Sequence, residues 1–210
     1  SLNVSLLLQC QASQLAEPSE TTLSLQDGRI RAAIAINPIT SVLFGEESMG
    51  QITTPTMIVS SGADTVAPAL QEQLVPFTWL AQPERYLLLM RQGTHFSTIA
   101  VTETGSEAFD LPTEIIGPDP ELAQDYLNAS SLAFLTAHLS DETTYQPLLT
   151  AEGITQLSQE PIQLTLVQSL TGPSLVEQLG RPPRSAADVI ESPESSGEPP
   201  TLPISPDAEP

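Results

Sequence analysis

Two residues carry the chemistry this chain can offer: Asp64, in Gly62-Ala63-Asp64, and His95, in Gly93-Thr94-His95-Phe96, 31 positions further on. A carboxylate beside an imidazole fixes the ring's tautomer and stabilises the imidazolium that forms when the ring takes a proton. Such a pair makes up two members of a nucleophile, histidine and acid triad, in which the histidine accepts the nucleophile's proton and later returns it to the leaving group. Each residue stands just past a short apolar run, Pro55 to Ser61 before Asp64 and Tyr86 to Met90 before His95. Runs this short and continuous are expected of strands covered on both faces. In an open parallel sheet, the carboxyl ends of such strands form the ligand-binding edge. Each residue taken singly also has a plainer reading: an aspartate after Gly-Ala can cap a helix or close a turn, and a single histidine can be a hydrogen-bonded structural group. The matching placement of both directs attention to the pair.

The elements that must position them follow from periodicity. Leu2, Leu6, Leu7, Cys10 and Leu15 predict an amphipathic helix over residues 2–15, with Ser1, Asn3, Gln9 and Gln11 facing outward. A strand is predicted over 30–36, ended by Pro38, and a loop of mixed character over 39–54. Residues 68–80 read as a helix with Leu70, Leu74, Phe77 and Leu80 on one side, kinked or broken early by Pro76. Past His95 a long connection, 97–120, leads to a helix over 121–139 whose apolar face is Leu122, Tyr126, Ala129, Ala133, Leu135 and Leu139. Asp119, Glu121 and Asp125 belong to the first turn of that helix rather than to a metal site, and His138 near its end suits a structural, hydrogen-bonded role beside the helix dipole. Residues 147–170 predict short packed helices. Beyond Gly172 lie 9 of the 20 prolines, which predicts a disordered acidic tail.

Strands alternating with helices describe βαβ units, hence an α/β fold with a parallel sheet. The expected organisation is a main domain over 1–140, a helical extension over 141–171 and a tail over 172–210. Three strands are few for an open sheet of this kind, and the chain opens at Ser1 without a methionine, so further strands are expected upstream.

Charge narrows the function classes. Acidic residues number 26 against 6 arginines and no lysine, a formal net charge of −20, which repels phosphate backbones and anionic membranes and argues against nucleic acid as a partner. The absence of lysine removes the P-loop cation, a Schiff-base nucleophile and a Ser-Lys dyad. A lone cysteine, Cys10, cannot make an internal disulfide and has no partner at zinc-ligand spacing. No stretch approaches the roughly 18 apolar residues of a membrane helix.

The order acid then histidine is that of α/β-hydrolases, and the stretch 27–97 resembles the C-terminal half of such an enzyme. The resemblance rests on Ala35-Ile36-Asn37-Pro38, Leu43-Phe44-Gly45, Pro55-Thr56-Met57-Ile58-Val59, Gly62-Ala63-Asp64-Thr65-Val66-Ala67-Pro68, Pro76-Phe77 and Gly93-Thr94-His95-Phe96-Ser97. It is similar to bacterial, cyanobacterial-type hydrolases of the predicted dienelactone hydrolase and platelet-activating-factor acetylhydrolase-like group. The resemblance implies hydrolysis of a small carboxylic ester through an acyl-serine intermediate, with water as second substrate and no cofactor. Its catalytic residues here would be His95 as acid/base and Asp64 as the residue that orients it. The acetylhydrolases place their acid after the strand corresponding to 30–36, where this chain has Asn37, so Asp64 is the better candidate. The nucleophile of that family sits in a Gly-x-Ser-x-Gly elbow, which this sequence lacks; Ser48, in Gly45-Glu46-Glu47-Ser48-Met49-Gly50, has the wrong spacing. The nucleophile and oxyanion hole are therefore expected upstream, and the present segment alone is expected to be inactive. Cys10, a conceivable nucleophile by analogy with dienelactone hydrolase, lies in an apolar helical run and is expected to be buried packing. Phe44, Trp79 and Phe96 are candidates for an acyl pocket or for core. Two other functions stay open: a non-catalytic hydrolase-fold interaction protein with a vestigial pocket, and a peptidase or thioesterase on the same fold.

Overall fold

The computed structural model describes residues 4–15, 27–98, 113–140 and 142–179. Along the chain run α1 (Val4–Leu15), β1 (Ala33–Ile36), α2 (Ser41–Gly50), β2 (Thr56–Ser61), a π-helical turn (Leu70–Leu74), α3 (Val75–Trp79) and β3 (Arg85–Met90). Then come α4 (Thr113–Ile116), α5 (Pro120–Leu139), a 3-10 turn (Gln146–Leu149), α6 (Ala151–Leu157), β4 (Leu164–Val167) and α7 (Gly172–Leu179). The strands form one sheet in the order β1-β2-β3-β4, the first three parallel and β4 antiparallel to β3.

Helices cover both faces, the architecture of an α/β sandwich. Because side chains alternate across a strand, Met57, Val59, Tyr86, Leu88 and Met90 pack with Leu164 and Leu166 against Ala123, Tyr126, Ala133 and Phe134 of α5. Ile58 and Leu87 face the other way, onto Met49, Val75, Phe77, Leu80 and Leu175. All six residues of β2 are buried, the apolar Met57, Ile58 and Val59 together with the polar Thr56, Ser60 and Ser61, as a strand covered on both faces requires. Asp119 caps α5 by accepting from Leu122 N at 2.9 Å, with Pro120 in the first turn. At the far end Arg31 donates to the Leu139 carbonyl at 2.7 Å, putting a cation where the helix dipole is negative.

Six expectations about the fold need correction. The strand predicted over 30–36 is only four residues long and lies at the sheet edge: Ile30 and Ile36 are exposed. The loop predicted over 39–54 contains α2, divided by a left-handed Gly45 (φ 68) that hides it from a periodicity search. The segment 147–170 holds a strand, β4, besides its short helix, so the fourth strand lies downstream of His95. In α5 the buried face shifts: Ala123, Tyr126, Ser130, Ala133 and Phe134 are inside, while Leu135 and Leu139 are exposed.

The fifth correction is the largest. Helix α1 buries two polar residues, Ser5 and Gln9, and exposes Leu7, Leu8 and Cys10, while Gln11 is exposed as expected. The reason is Glu72, buried in the π-helical turn: one carboxylate oxygen accepts from Ser5 Oγ at 2.8 Å and Gln9 Nε2 at 2.9 Å, the other from the Thr40 and Ser41 amides at 3.1 Å each. The Gln9 carbonyl oxygen then accepts from the Val42 and Leu43 amides. Four main-chain N–H groups opening α2 are thus satisfied from outside the helix, which needs no local capping side chain. The tail predicted from residue 172 begins with α7, whose Leu175 is buried; residues 180–210 of that tail lie outside the described residues.

Candidate active site

The site is built where β2 and β3 end. Ser61 is the last residue of β2, and the chain turns at Gly62, whose amide donates to the Met90 carbonyl at 2.8 Å. Ala63 N donates to the Gly93 carbonyl at 2.8 Å, joining the two loops directly. A side chain at position 62 would overlap the Arg91 carbonyl oxygen, so this close approach demands glycine.

Held in this way, Asp64 and His95 meet. Asp64 Oδ2 lies 2.7 Å from His95 Nδ1, and Oδ1 accepts from the amides of Val66 (2.8 Å) and Ala67 (2.7 Å). The aspartate therefore serves the turn and the histidine together, one oxygen for each. Its side chain is fully buried, whereas the imidazole keeps 27% of its surface exposed. An ionised carboxylate only accepts, so its hydrogen bond selects the tautomer with the proton on Nδ1, and in the neutral ring of that tautomer Nε2 keeps its lone pair. Among the described residues Nε2 has no hydrogen-bond partner. That nitrogen can take a proton from a group brought to it, and can give the proton back. The Phe96 ring packs edge-on to the imidazole at 5.4 Å.

The loop bearing His95 is fixed on two sides. Thr94 Oγ1 donates to the Ile115 carbonyl at 2.6 Å and Ser97 Oγ to the Ile116 carbonyl at 2.7 Å, while the Thr94 amide donates to Ser97 Oγ at 2.9 Å. On the opposite side Asn37, buried just past β1, donates from Nδ2 to the His95 carbonyl at 3.2 Å and to Thr98 Oγ1 at 3.4 Å. Its Oδ1 accepts from the Ser61 amide at 2.9 Å. Beneath the site Gln73 donates to the carbonyls of Pro38 (2.7 Å) and Ala67 (3.2 Å), tying the Asn37 turn to the Asp64 turn. Periodicity assigns Gln73 no role, because nothing in a helical repeat marks a polar residue as buried; Asn37 is marked by an Asn-Pro step after a strand and by standing where the acetylhydrolases place their acid, neither of which points to a bond with the His95 carbonyl.

The remaining candidates lie elsewhere. Ser48 is exposed within α2, and Cys10 is exposed on α1 rather than packed as expected. Phe44 is 53% exposed, and Trp79 packs on the core beneath α2 and α3. His138 is not held by hydrogen bonds as expected: its ring packs on Phe134 at 4.7 Å and Tyr86 at 5.7 Å, and its buried Nε2 has no partner among the described residues. It lines a groove of about 630 Å³ with Glu84, Tyr86 and Gln168, at the end of β3 opposite His95. Asp119 stands at the N-terminal turn of α5, as expected, and there it caps the helix. No group of three potential metal ligands occurs among the described residues, and no helix there is long and apolar enough to cross a membrane.

Compared with models of known protein families and with curated proteins, the chain matches none.

Proposed function

We propose that Asp64 and His95 are the acid and base of a carboxylic ester hydrolase of the α/β-hydrolase type, activating a serine that is not brought to His95 among the described residues. The observation that carries this reading is the 2.7 Å contact between a fully buried carboxylate and a part-exposed imidazole at the carboxyl ends of adjacent parallel strands. In the proposed reaction His95 Nε2 takes the proton of the serine hydroxyl as its oxygen attacks the ester carbonyl, and returns it to the departing alcohol. Water, deprotonated by the same nitrogen, then attacks the acyl carbonyl, and the imidazolium gives that proton to the departing serine oxygen as the acid is released. Asp64 holds the ring and balances its charge while the ring is protonated. The net charge of −20 disfavours polyanionic substrates and suits a small neutral ester.

The test uses the full-length protein with a short-chain nitrophenyl ester and a fluorophosphonate probe. Turnover and covalent labelling are expected, both reduced about a thousand- to ten-thousand-fold by His95→Ala. No turnover and no labelling of the wild-type protein would overturn the reading in favour of a non-catalytic interaction module.

A further inference from the structure

Asn37 has a demanding set of properties. Its φ is +43°, in the left-handed region, which among side-chain-bearing residues asparagine and aspartate adopt most readily. Its amide is then used in both senses: the oxygen accepts from the last amide of β2, Ser61, and the nitrogen donates to the His95 carbonyl. Its own N–H donates to the Val59 carbonyl at 2.8 Å. One buried residue past the end of β1 thus connects the strand leading to Asp64 with the loop bearing His95.

We infer that Asn37 is a positioning residue for His95, holding the histidine's main chain at the distance from β2 that lets Nδ1 reach Asp64. This rests on the ester-hydrolase reading for its kinetic consequence, though not for its geometric one. Each near substitute fails in a different way. Glycine keeps the left-handed turn and loses both side-chain bonds. Aspartate keeps the turn and the acceptor for Ser61, yet sets an oxygen against the His95 carbonyl where a donor is needed. Glutamine keeps the amide but neither fits the left-handed turn readily nor has the reach of asparagine. Only asparagine meets all three requirements. The Thr94 and Ser97 anchors bond to the Ile115 and Ile116 carbonyls, and the Ala63–Gly93 bond joins the loops two residues before His95, so none of them holds the His95 carbonyl itself.

The inference is tested with Asn37→Asp and Asn37→Gly in the full-length protein, read by kcat and KM separately and by the far-downfield proton resonance of an imidazole Nδ1–H held by a carboxylate. The expected result is a loss of about ten- to a hundred-fold in kcat, with KM within about twofold, because a misplaced base impairs chemistry more than binding. The downfield resonance is expected to broaden or vanish while circular dichroism shows a folded protein. Both variants within twofold of wild-type kcat, with the resonance intact, would overturn the inference. If the wild-type protein turns over no ester, the ester-hydrolase reading fails and the resonance alone decides: its loss in folded Asn37→Asp supports positioning, its retention rejects it. Should both variants be unfolded, Asn37 is a determinant of folding and the inference is rejected.

Discussion

Among the described residues two carboxylates are buried, a short way apart in sequence, and their surroundings differ in a way that separates chemistry from architecture. Glu72 receives four hydrogen bonds, from Ser5, Gln9, Thr40 and Ser41, and none of those donors can titrate. Asp64 receives two from the backbone and shares its second oxygen with an imidazole that reaches solvent. A saturated carboxylate fixes three segments against one another and has nothing left to exchange. A carboxylate left one position short, with a titratable and reachable group in that position, can respond to charge arriving on its partner. Burial alone, which is nearly complete for both, does not tell the two apart.

The largest effect expected from this contrast is on activity. In Asp64→Asn the oxygen facing Val66 and Ala67 is retained, so the turn survives with a stability loss of about 1 kcal/mol. The amide nitrogen now faces His95, forcing Nδ1 to accept and moving the ring proton to Nε2, where it blocks proton uptake. Under the ester-hydrolase proposal kcat/KM falls about a thousand- to ten-thousand-fold, measured by nitrophenyl ester turnover beside a thermal melt. If Asp64→Asn instead unfolds the protein while activity per folded molecule persists, Asp64 is the architectural carboxylate and the contrast is reversed.

Glu72→Gln is expected to do the opposite. An NH₂ replaces one oxygen and faces two donors, either the Thr40 and Ser41 amides or the Ser5 and Gln9 side chains. Buried donors left without acceptors make this a loss of about 2–4 kcal/mol, seen as a lower midpoint in urea at constant slope. Activity per folded molecule stays at the wild-type level, because Glu72 touches neither Asp64 nor His95. A variant as stable as wild type would show that the four bonds contribute nothing net and that α1 is held by something else.

The same contrast explains which parts of the molecule can be read from sequence. Strands β2 and β3 were legible because both faces are covered by apolar side chains, and so were Asp64 and His95, because a polar residue just past a buried strand stands out. The α/β class follows from those strands and from α5. Helix α1 defeats amphipathic logic, which assumes an apolar partner, because its partner is the Glu72 carboxylate; a polar face can be the buried one when its groups are satisfied. Strand β4 was missed because four residues with Leu164 and Leu166 alternating are too short to separate from the helical segments beside them. Asn37 and Gln73 act through backbone carbonyls of residues distant in sequence, and no spacing rule encodes that.

A third buried ionisable group tests whether saturation, rather than carboxylate chemistry, is what marks an architectural role. The Tyr126 hydroxyl accepts from the Gln159 amide at 2.6 Å and donates to the Gln159 carbonyl at 3.3 Å, joining α5 to the chain just before β4. Burial raises the phenol above its ordinary value of 10.0, and the negative charges of Asp119 and Glu160 add to the rise, while the bond from Gln159 opposes it. A raised value in the fold means that folding favours the protonated phenol: the stability it contributes is complete below pH 10 and is lost as pH rises through the folded-state value. Tyr86, raised chiefly by burial, adds to the loss over the same range. Urea midpoints are therefore expected to fall as pH is raised past 10, and Tyr126→Phe to reduce that slope, at a fixed cost of about 1 kcal/mol at neutral pH for the Gln159 amide left without its acceptor. Because neither tyrosine touches Asp64 or His95, the variant is expected to leave the proposed ester turnover near pH 8 unaltered. A slope identical in Tyr126→Phe and wild type would mean that this phenol ionises as readily in the fold as in the unfolded chain, and that two hydrogen bonds to one residue do not make a buried group architectural.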